Sequence, residues 1–286
     1  MNGLSMISDI HRERLIMKYK TNIFKRLIIS SLLIISFSSC QNNSSASVIP
    51  SASPESESIE VSDSTEIKKQ KIACLGDSIT YGYALNNRDD VYVNLLSQED
   101  YAQSVQNLGL GGTTIGNSHV DYYLARTFLR RYTQIEADTD IIIVFGGTND
   151  YGSEKDQGVA LGELFDTNQS TFYWAVEKLI DSIQSDYPEA KLIFATPLQR
   201  NDARWGYPST SPINQYGSTL EEYRDAIAEL CKLYELPVVD LYNLEGMRAS
   251  DSTFDSLLVD GLHPNPEGQK KIEEAIDQVI REEINK

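Results

Sequence analysis

At 286 residues the chain is long enough for one large domain or two small ones, with a sizeable core. Its formal charge of −17, from 42 acidic against 25 basic residues, argues against nucleic-acid binding, which relies on clustered Lys and Arg to neutralise phosphates. The same charge disfavours adsorption of a folded domain to an anionic membrane surface, and acidity by itself selects no activity.

In chain order, the amino terminus reads as a targeting segment. Lys18, Lys20, Lys25 and Arg26 form a basic stretch ahead of an apolar run over residues 27–37. That run is too short to span a bilayer but suits the apolar region of a signal peptide. It ends at Phe37-Ser38-Ser39-Cys40, which resembles a bacterial lipobox, with Phe37 where that pattern has Leu, Val or Ile. The resemblance implies a signal peptide over residues 1–39 and lipid on Cys40, which would hold the protein at the membrane of the cell envelope, outside the cytoplasm. Met17 begins a more ordinary signal peptide than Met1 does, so residues 1–16 read as an upstream mis-start. Cleavage before Cys40 removes six basic and two acidic residues and leaves 19 basic against 40 acidic, a charge of −21.

Residues 40–69 then comprise the lipidated cysteine and a tether. The tether is rich in Ser, contains Pro50 and Pro54, lacks apolar periodicity and reads as disordered. Residues 70–286 are expected to hold the folded domain. Strands are predicted at 71–75, 104–108, Ile141–Phe145, 192–195 and 238–241. Helices are predicted near Val91, Leu95 and Leu96, then over 121–134, and from Phe172 through Ile183 up to Pro188. A further helix is predicted over 220–233, and a last one is capped by Asn265 with Pro266 at its first position. Strands alternating with helices predict an α/β fold: a parallel five-stranded sheet between two helical layers, with ligands beyond the carboxyl ends of the strands. Cys74 falls in a strand and Cys231 in a helix; two buried thiols are the expectation, with a bridge left open.

Four short motifs fall at or near such positions. Gly76-Asp77-Ser78-Ile79-Thr80 follows the first strand, so Ser78 could be a nucleophile on a strand-to-helix turn, or the pair Asp77-Ser78 could simply cap a helix. The glycine-dense Asn107-Leu108-Gly109-Leu110-Gly111-Gly112 follows the second strand and lets backbone N–H groups approach a ligand; it lacks a Walker lysine and Rossmann spacing. Gly146-Gly147-Thr148-Asn149-Asp150 closes the third strand. There the Asn149 amide could meet developing negative charge, where one donor is worth roughly 3–4 kcal/mol, or could belong to an ordinary turn. Asp260-Gly261-Leu262-His263 precedes the last helix, as an acid–imidazole pair or as a solvated surface turn. His263 is nearly the only candidate base: the chain has three histidines, and His11 precedes the mature domain while His119 lies in a polar stretch.

Together these motifs resemble the SGNH hydrolase superfamily, the GDSL-like lipases and acylhydrolases, whose four blocks bear Ser, Gly, Asn and His in this order. The resemblance covers essentially the whole domain, and Ile79 replaces the Leu often found there. It implies a flavodoxin-like three-layer fold, Ser78 as nucleophile, His263 as base and Asp260 as its orienting acid. It further implies an oxyanion hole from the Ser78 and Gly112 N–H groups and the Asn149 side chain, Gly112 being selected by matching Asn107 to the Asn of the second block. The reaction implied is two-step hydrolysis of a carboxylic ester. No cofactor is expected, and the mature domain has too few His and Cys for a zinc site.

Residues 198–218 form a polar insertion after the fourth strand. Trp205 could stack on a sugar ring, Arg200 and Arg204 could meet an acidic substituent, and Tyr151 could line the cleft; alternatively these aromatics pack the loop onto the domain. The expected substrate is a small acyl group, such as acetyl, on a carbohydrate. A lysophospholipase or short-chain lipase is the alternative enzyme, and an inactive glycan-binding lipoprotein the alternative of another kind.

Overall fold

The computed structural model describes residues 68–117, 124–152, 158–204 and 213–286, together with Met17. The chain divides into two units, Met1–Ile67 and Lys68–Lys286, and the fold lies in the second. Apart from Met17, the predicted signal peptide falls outside the described residues, as do Cys40, nearly all of the tether, His11 and His119. No helix among the described residues is long and apolar enough to cross a membrane.

Five parallel strands form one sheet: β1 (Gln70–Gly76), β2 (Ala102–Gly109), β3 (Ile141–Phe145), β4 (Lys191–Ala195) and β5 (Val238–Val239), in the spatial order 2-1-3-4-5. This is the flavodoxin-like order, with its switch point between β1 and β3. Alternation along β1 and β3 divides the core. Ile72, Cys74, Ile141, Ile143 and Phe145 face one side, with α2 (Tyr92–Leu96) and the long α7 (Pro266–Ile284). Ala73, Leu75, Ile142 and Val144 face the other, with α3 (Phe128–Arg131), α5 (Phe172–Asp186) and α6 (Leu220–Tyr234). Burial on both faces is why Ile141–Phe145 is an uninterrupted apolar run.

The helix ends follow local chemistry. Thr219 and Glu222 form a reciprocal capping box at the start of α6, and Asn265 Oδ1 accepts from the Gly268 N–H at 2.9 Å at the start of α7. Cys74 and Cys231 lie on opposite faces of the sheet as buried free thiols, each pushed up to about 12 by burial.

Two expectations change. The helix predicted over 121–134 is not continuous: Leu124 is helical, Thr127 is extended (φ −62°, ψ 160°), and helix resumes over Phe128–Arg131, followed by a 3-10 turn; residues 121–123 lie outside the described residues. The Phe128 N–H donates to the Thr114 carbonyl at 2.9 Å, a tertiary bond that competes with helical pairing. The fifth strand stops at Val239 rather than 241. Asp240 turns its carboxylate to Arg224 and Asn243, and the chain enters a 3-10 turn over Leu241–Asn243.

Candidate active site

Ser78 is the first residue of the four-residue helix α1 (Ser78–Tyr81), reached directly from β1. Asp77 caps that helix, its Oδ1 accepting from the Ile79 N–H at 2.9 Å, so capping and placement of a nucleophile on the turn coexist. The helix is held from two sides. Asn107 on β2 donates from Nδ2 to the Thr80 carbonyl at 2.9 Å, and the fully buried Gln269 of α7 donates to the Ile79 carbonyl at 3.2 Å. Gly109 permits this approach, because a Cβ there would lie 2.1 Å from the Tyr81 nitrogen.

The turn before α7 brings the acid to the imidazole. Leu258 and Pro264 form an isolated antiparallel bridge, the Val259 N–H donates to the His263 carbonyl at 2.8 Å, and Gly261 takes the left-handed conformation (φ 97°) that closes the loop. Asp260 Oδ1 accepts from the N–H groups of Leu262 and His263 at 3.0 and 2.8 Å, while its Oδ2 lies 2.7 Å from His263 Nδ1. His263 Nε2 lies 2.9 Å from Ser78 Oγ. The structure thus joins Asp260, His263 and Ser78 in one line of hydrogen bonds.

Their environment suits proton transfer. Partial burial opposes the Asp260 charge, but its bonds to the His263 backbone and ring and to the Leu262 N–H outweigh that effect and hold its carboxyl below the ordinary value. His263 is 3% exposed, and burial lowers its pKa against the opposing pull of Asp260. Its imidazole is therefore neutral near neutral pH and available as a proton acceptor. Tyr83, whose ring centroid is 4.5 Å from that of His263, forms one wall; it is 50% exposed, so its ring also faces outward.

Gly112 lies on the loop after β2, and Asn149 on the short helix that follows β3. Ser78 Cβ is 3.7 Å from the position a Gly111 Cβ would take, and Asn149 Nδ2 donates to the Thr113 carbonyl at 3.0 Å. The second proton of that amide stays available for an oxyanion. The carbonyl bond orients the amide beside the glycine loop. Asp150, fully buried, accepts from the N–H groups of Ile115 and Gly116 at 3.0 and 2.8 Å and anchors the rest of that loop. Burial pushes the Asp150 and Asp77 carboxyls up to about 7 each.

The insertion residues are used differently from the expectation. Arg200 is buried, its side chain 4% exposed. It donates to the Thr148 carbonyl and hydroxyl at 3.1 Å and to the Gly152 carbonyl at 3.0 Å, pairs with Asp202 at 2.7 Å and lies over the Tyr151 ring. It therefore clamps both ends of α4 (Thr148–Tyr151), which carries Asn149, rather than reaching toward an acidic substituent. Arg204 donates to the carbonyls of Asp255 and Val259, the second at 2.9 Å, and braces the loop leading to Asp260. Tyr151 is buried under Arg200, and Trp205 lies outside the described residues.

Sequence reasoning missed Tyr83, Asp150, Gln269 and Arg131. Asp150 adjoins Asn149 in the same motif and could have been found there. Arg131 gave no signal. It donates to the carbonyls of Gly76 at 2.8 Å, Leu108 at 2.6 Å and Arg126 at 2.9 Å, and to the Thr113 hydroxyl at 3.0 Å, tying the ends of β1 and β2 to the glycine loop.

Residues 74–271 match the family described as GDSL-like lipase/acylhydrolase. The chain is 30% identical over 149 residues to a GDSL esterase/lipase of Oryza sativa subsp. japonica, covering 50% of this chain and 54% of that protein. It is 24% identical over 230 residues to an acetylxylan esterase of Xylanibacter ruminicola, covering 74% of this chain and 43% of that protein. The chain thus spans about half the length of these relatives. A crystal structure of a protein from Lactobacillus plantarum is similar with a TM-score of 0.63 at 30% identity, covering 76% of this chain and 98% of that one.

Proposed function

Since the chain belongs to the GDSL-like lipase/acylhydrolase family, we propose that it hydrolyses carboxylic esters with Ser78 as the nucleophile. The observation that carries this reading is the continuous contact from Asp260 through His263 to Ser78, at 2.7 and 2.9 Å. Ser78 Oγ attacks the ester carbonyl while His263 Nε2 takes its proton, and Asp260 holds the Nδ1–H and stabilises the imidazolium. The carbonyl oxygen becomes an oxyanion held by the Ser78 and Gly112 N–H groups and the Asn149 amide. As the tetrahedral intermediate collapses, the C–O bond to the alcohol breaks and His263 returns the proton to the departing oxygen. Water, deprotonated by His263, then attacks the acyl-serine, and the acid leaves as Ser78 recovers its proton.

The substrate we propose is a carbohydrate bearing small acyl groups such as acetyl. Support comes from the acetylxylan esterase among the relatives. The basic and apolar segment ending at Cys40 supports a lipid anchor that holds the domain at the outside of the cell envelope.

A fluorophosphonate probe tests the nucleophile: wild type is labelled and Ser78→Ala is not, and equal labelling would remove Ser78 from the role. A series of p-nitrophenyl esters run beside acetylated polysaccharides tests the substrate. A clear preference for long acyl chains would replace the carbohydrate reading with a lipase, and absence of both labelling and turnover would leave a glycan-binding protein.

A further inference from the structure

A cavity of about 530 Å³ opens beyond the carboxyl ends of β4 and β5. Its walls come from the same segments that hold the catalytic loops. Tyr151 follows Asn149 by two residues on α4, and Arg200 clamps that helix. On the other side the Asn201 N–H donates to the Gly261 carbonyl at 2.7 Å, and Asn201 Nδ2 donates to Asp255 Oδ1 at 2.8 Å. Two lining residues, Arg200 and Asn201, therefore bond directly to the segments that carry Asn149 and the Asp260–His263 pair.

The lining has a definite chemistry. Tyr242 supplies accessible aromatic surface beside the buried Tyr151 and Phe254, and Asp202, Glu221 and Asp255 supply three carboxylates against the single guanidinium of Arg200. Arg200 is buried and paired with Asp202 at 2.7 Å, so the positive charge is consumed within the wall. The exposed Glu221 and Asp255 leave an excess of negative charge. Aromatic faces stack on the C–H faces of sugar rings, carboxylates accept hydrogen bonds from hydroxyl groups, and unbalanced negative charge repels an anion.

We propose that this cavity binds an uncharged, hydroxyl-rich glycosyl unit next to the acylated one, and that its carboxylates exclude acidic sugars. The proposal rests on the carbohydrate-esterase reading and narrows it: neutral saccharide esters are accepted, and uronate-bearing chains or the phosphate headgroup of a lysophospholipid are disfavoured.

The test uses Ser78→Ala protein, which binds without turnover, titrated calorimetrically with an acetylated xylo-oligosaccharide and with an oligogalacturonate of the same length. The neutral ligand should bind at least about tenfold more tightly. Tyr242→Ala in this background should weaken the neutral ligand about tenfold. The double change Glu221→Gln, Asp255→Asn at exposed positions should narrow the gap between the two ligands. Equal binding of both ligands, or a gap unaltered by the double change, overturns the proposal. In the active enzyme, Tyr242→Ala should raise KM for the acetylated oligosaccharide far more than it alters turnover of p-nitrophenyl acetate. Turnover of p-nitrophenyl acetate without oligosaccharide binding would reject the cavity while sparing the esterase; oligosaccharide binding without turnover of any saccharide ester would do the reverse.

Discussion

Arg131 Nη2 donates to the Gly76 carbonyl at 2.8 Å, two residues before Ser78, and the same guanidinium reaches Leu108 and Thr113 on the side of the glycine loop. One buried side chain therefore sets the spacing between the nucleophile and the loop of Gly112. Burial pushes its pKa down to about 10, against the opposing charge of Asp77, and it remains a cation at neutral pH. Arg131→Met should cost about 1–3 kcal/mol in urea unfolding, because it strands the carbonyls of Gly76 and Leu108. Lysine should not rescue it, since a point charge cannot reach several acceptors at once.

Asp260 and His263 should differ in their catalytic cost. Removing the base by His263→Ala should lower kcat by roughly 10⁶-fold, and Asp260→Asn by roughly 10⁴-fold, since the asparagine retains part of the orienting contact. Single-turnover measurements with an activated ester resolve both. A mild loss in His263→Ala would assign the proton to another group.

Tyr83 offers a pH test. Burial lowers the His263 pKa, so the acid limb of kcat/KM should lie below the ordinary histidine value of 6.5. Tyr83→Ala opens the imidazole to water, eases that desolvation and should move the limb upward toward 6.5. Stability follows the same linkage. Between the folded and unfolded pKa values the unfolded chain holds more protons, so the contribution of His263 is complete above about 6.5 and is lost as pH falls through the folded value. An unmoved acid limb in Tyr83→Ala would show that the ring does not screen the base.

Much of this site was readable from residue order because each reacting group sits immediately beyond a strand or before a helix, where local motifs are diagnostic. The run Ile141–Phe145 gave the central strand, and Asn265-Pro266 gave the start of α7 to the residue. The supporting residues were not readable, because their roles arise from tertiary contact. Arg131 looks like any basic helical residue until Gly76 and Leu108 are placed beside it. Thr127 breaks a plausible helix because its neighbour Phe128 is bonded to Thr114. The thiols show the same limit: Cys74 has a definite side of its strand, but only the packing of α6 places Cys231 across the sheet from it.

Arg200 illustrates the limit best, because its residue type suggested a ligand contact and its burial assigns a brace. It holds Thr148 and Gly152, on either side of Asn149, so its influence on turnover must pass through that amide. Asn149→Ala alone should lower kcat by about 10²–10³-fold, the usual cost of one oxyanion donor. Arg200→Met should lower kcat with a smaller change in KM, and lysine should fail to restore it because the contacts need a planar fork. The decisive measurement is the double-mutant cycle. If the arginine acts by aiming the amide, Arg200→Met should cost much less in the Asn149→Ala background than in wild type. Equal costs in the two backgrounds would mean that Arg200 stabilises the fold without setting the oxyanion hole.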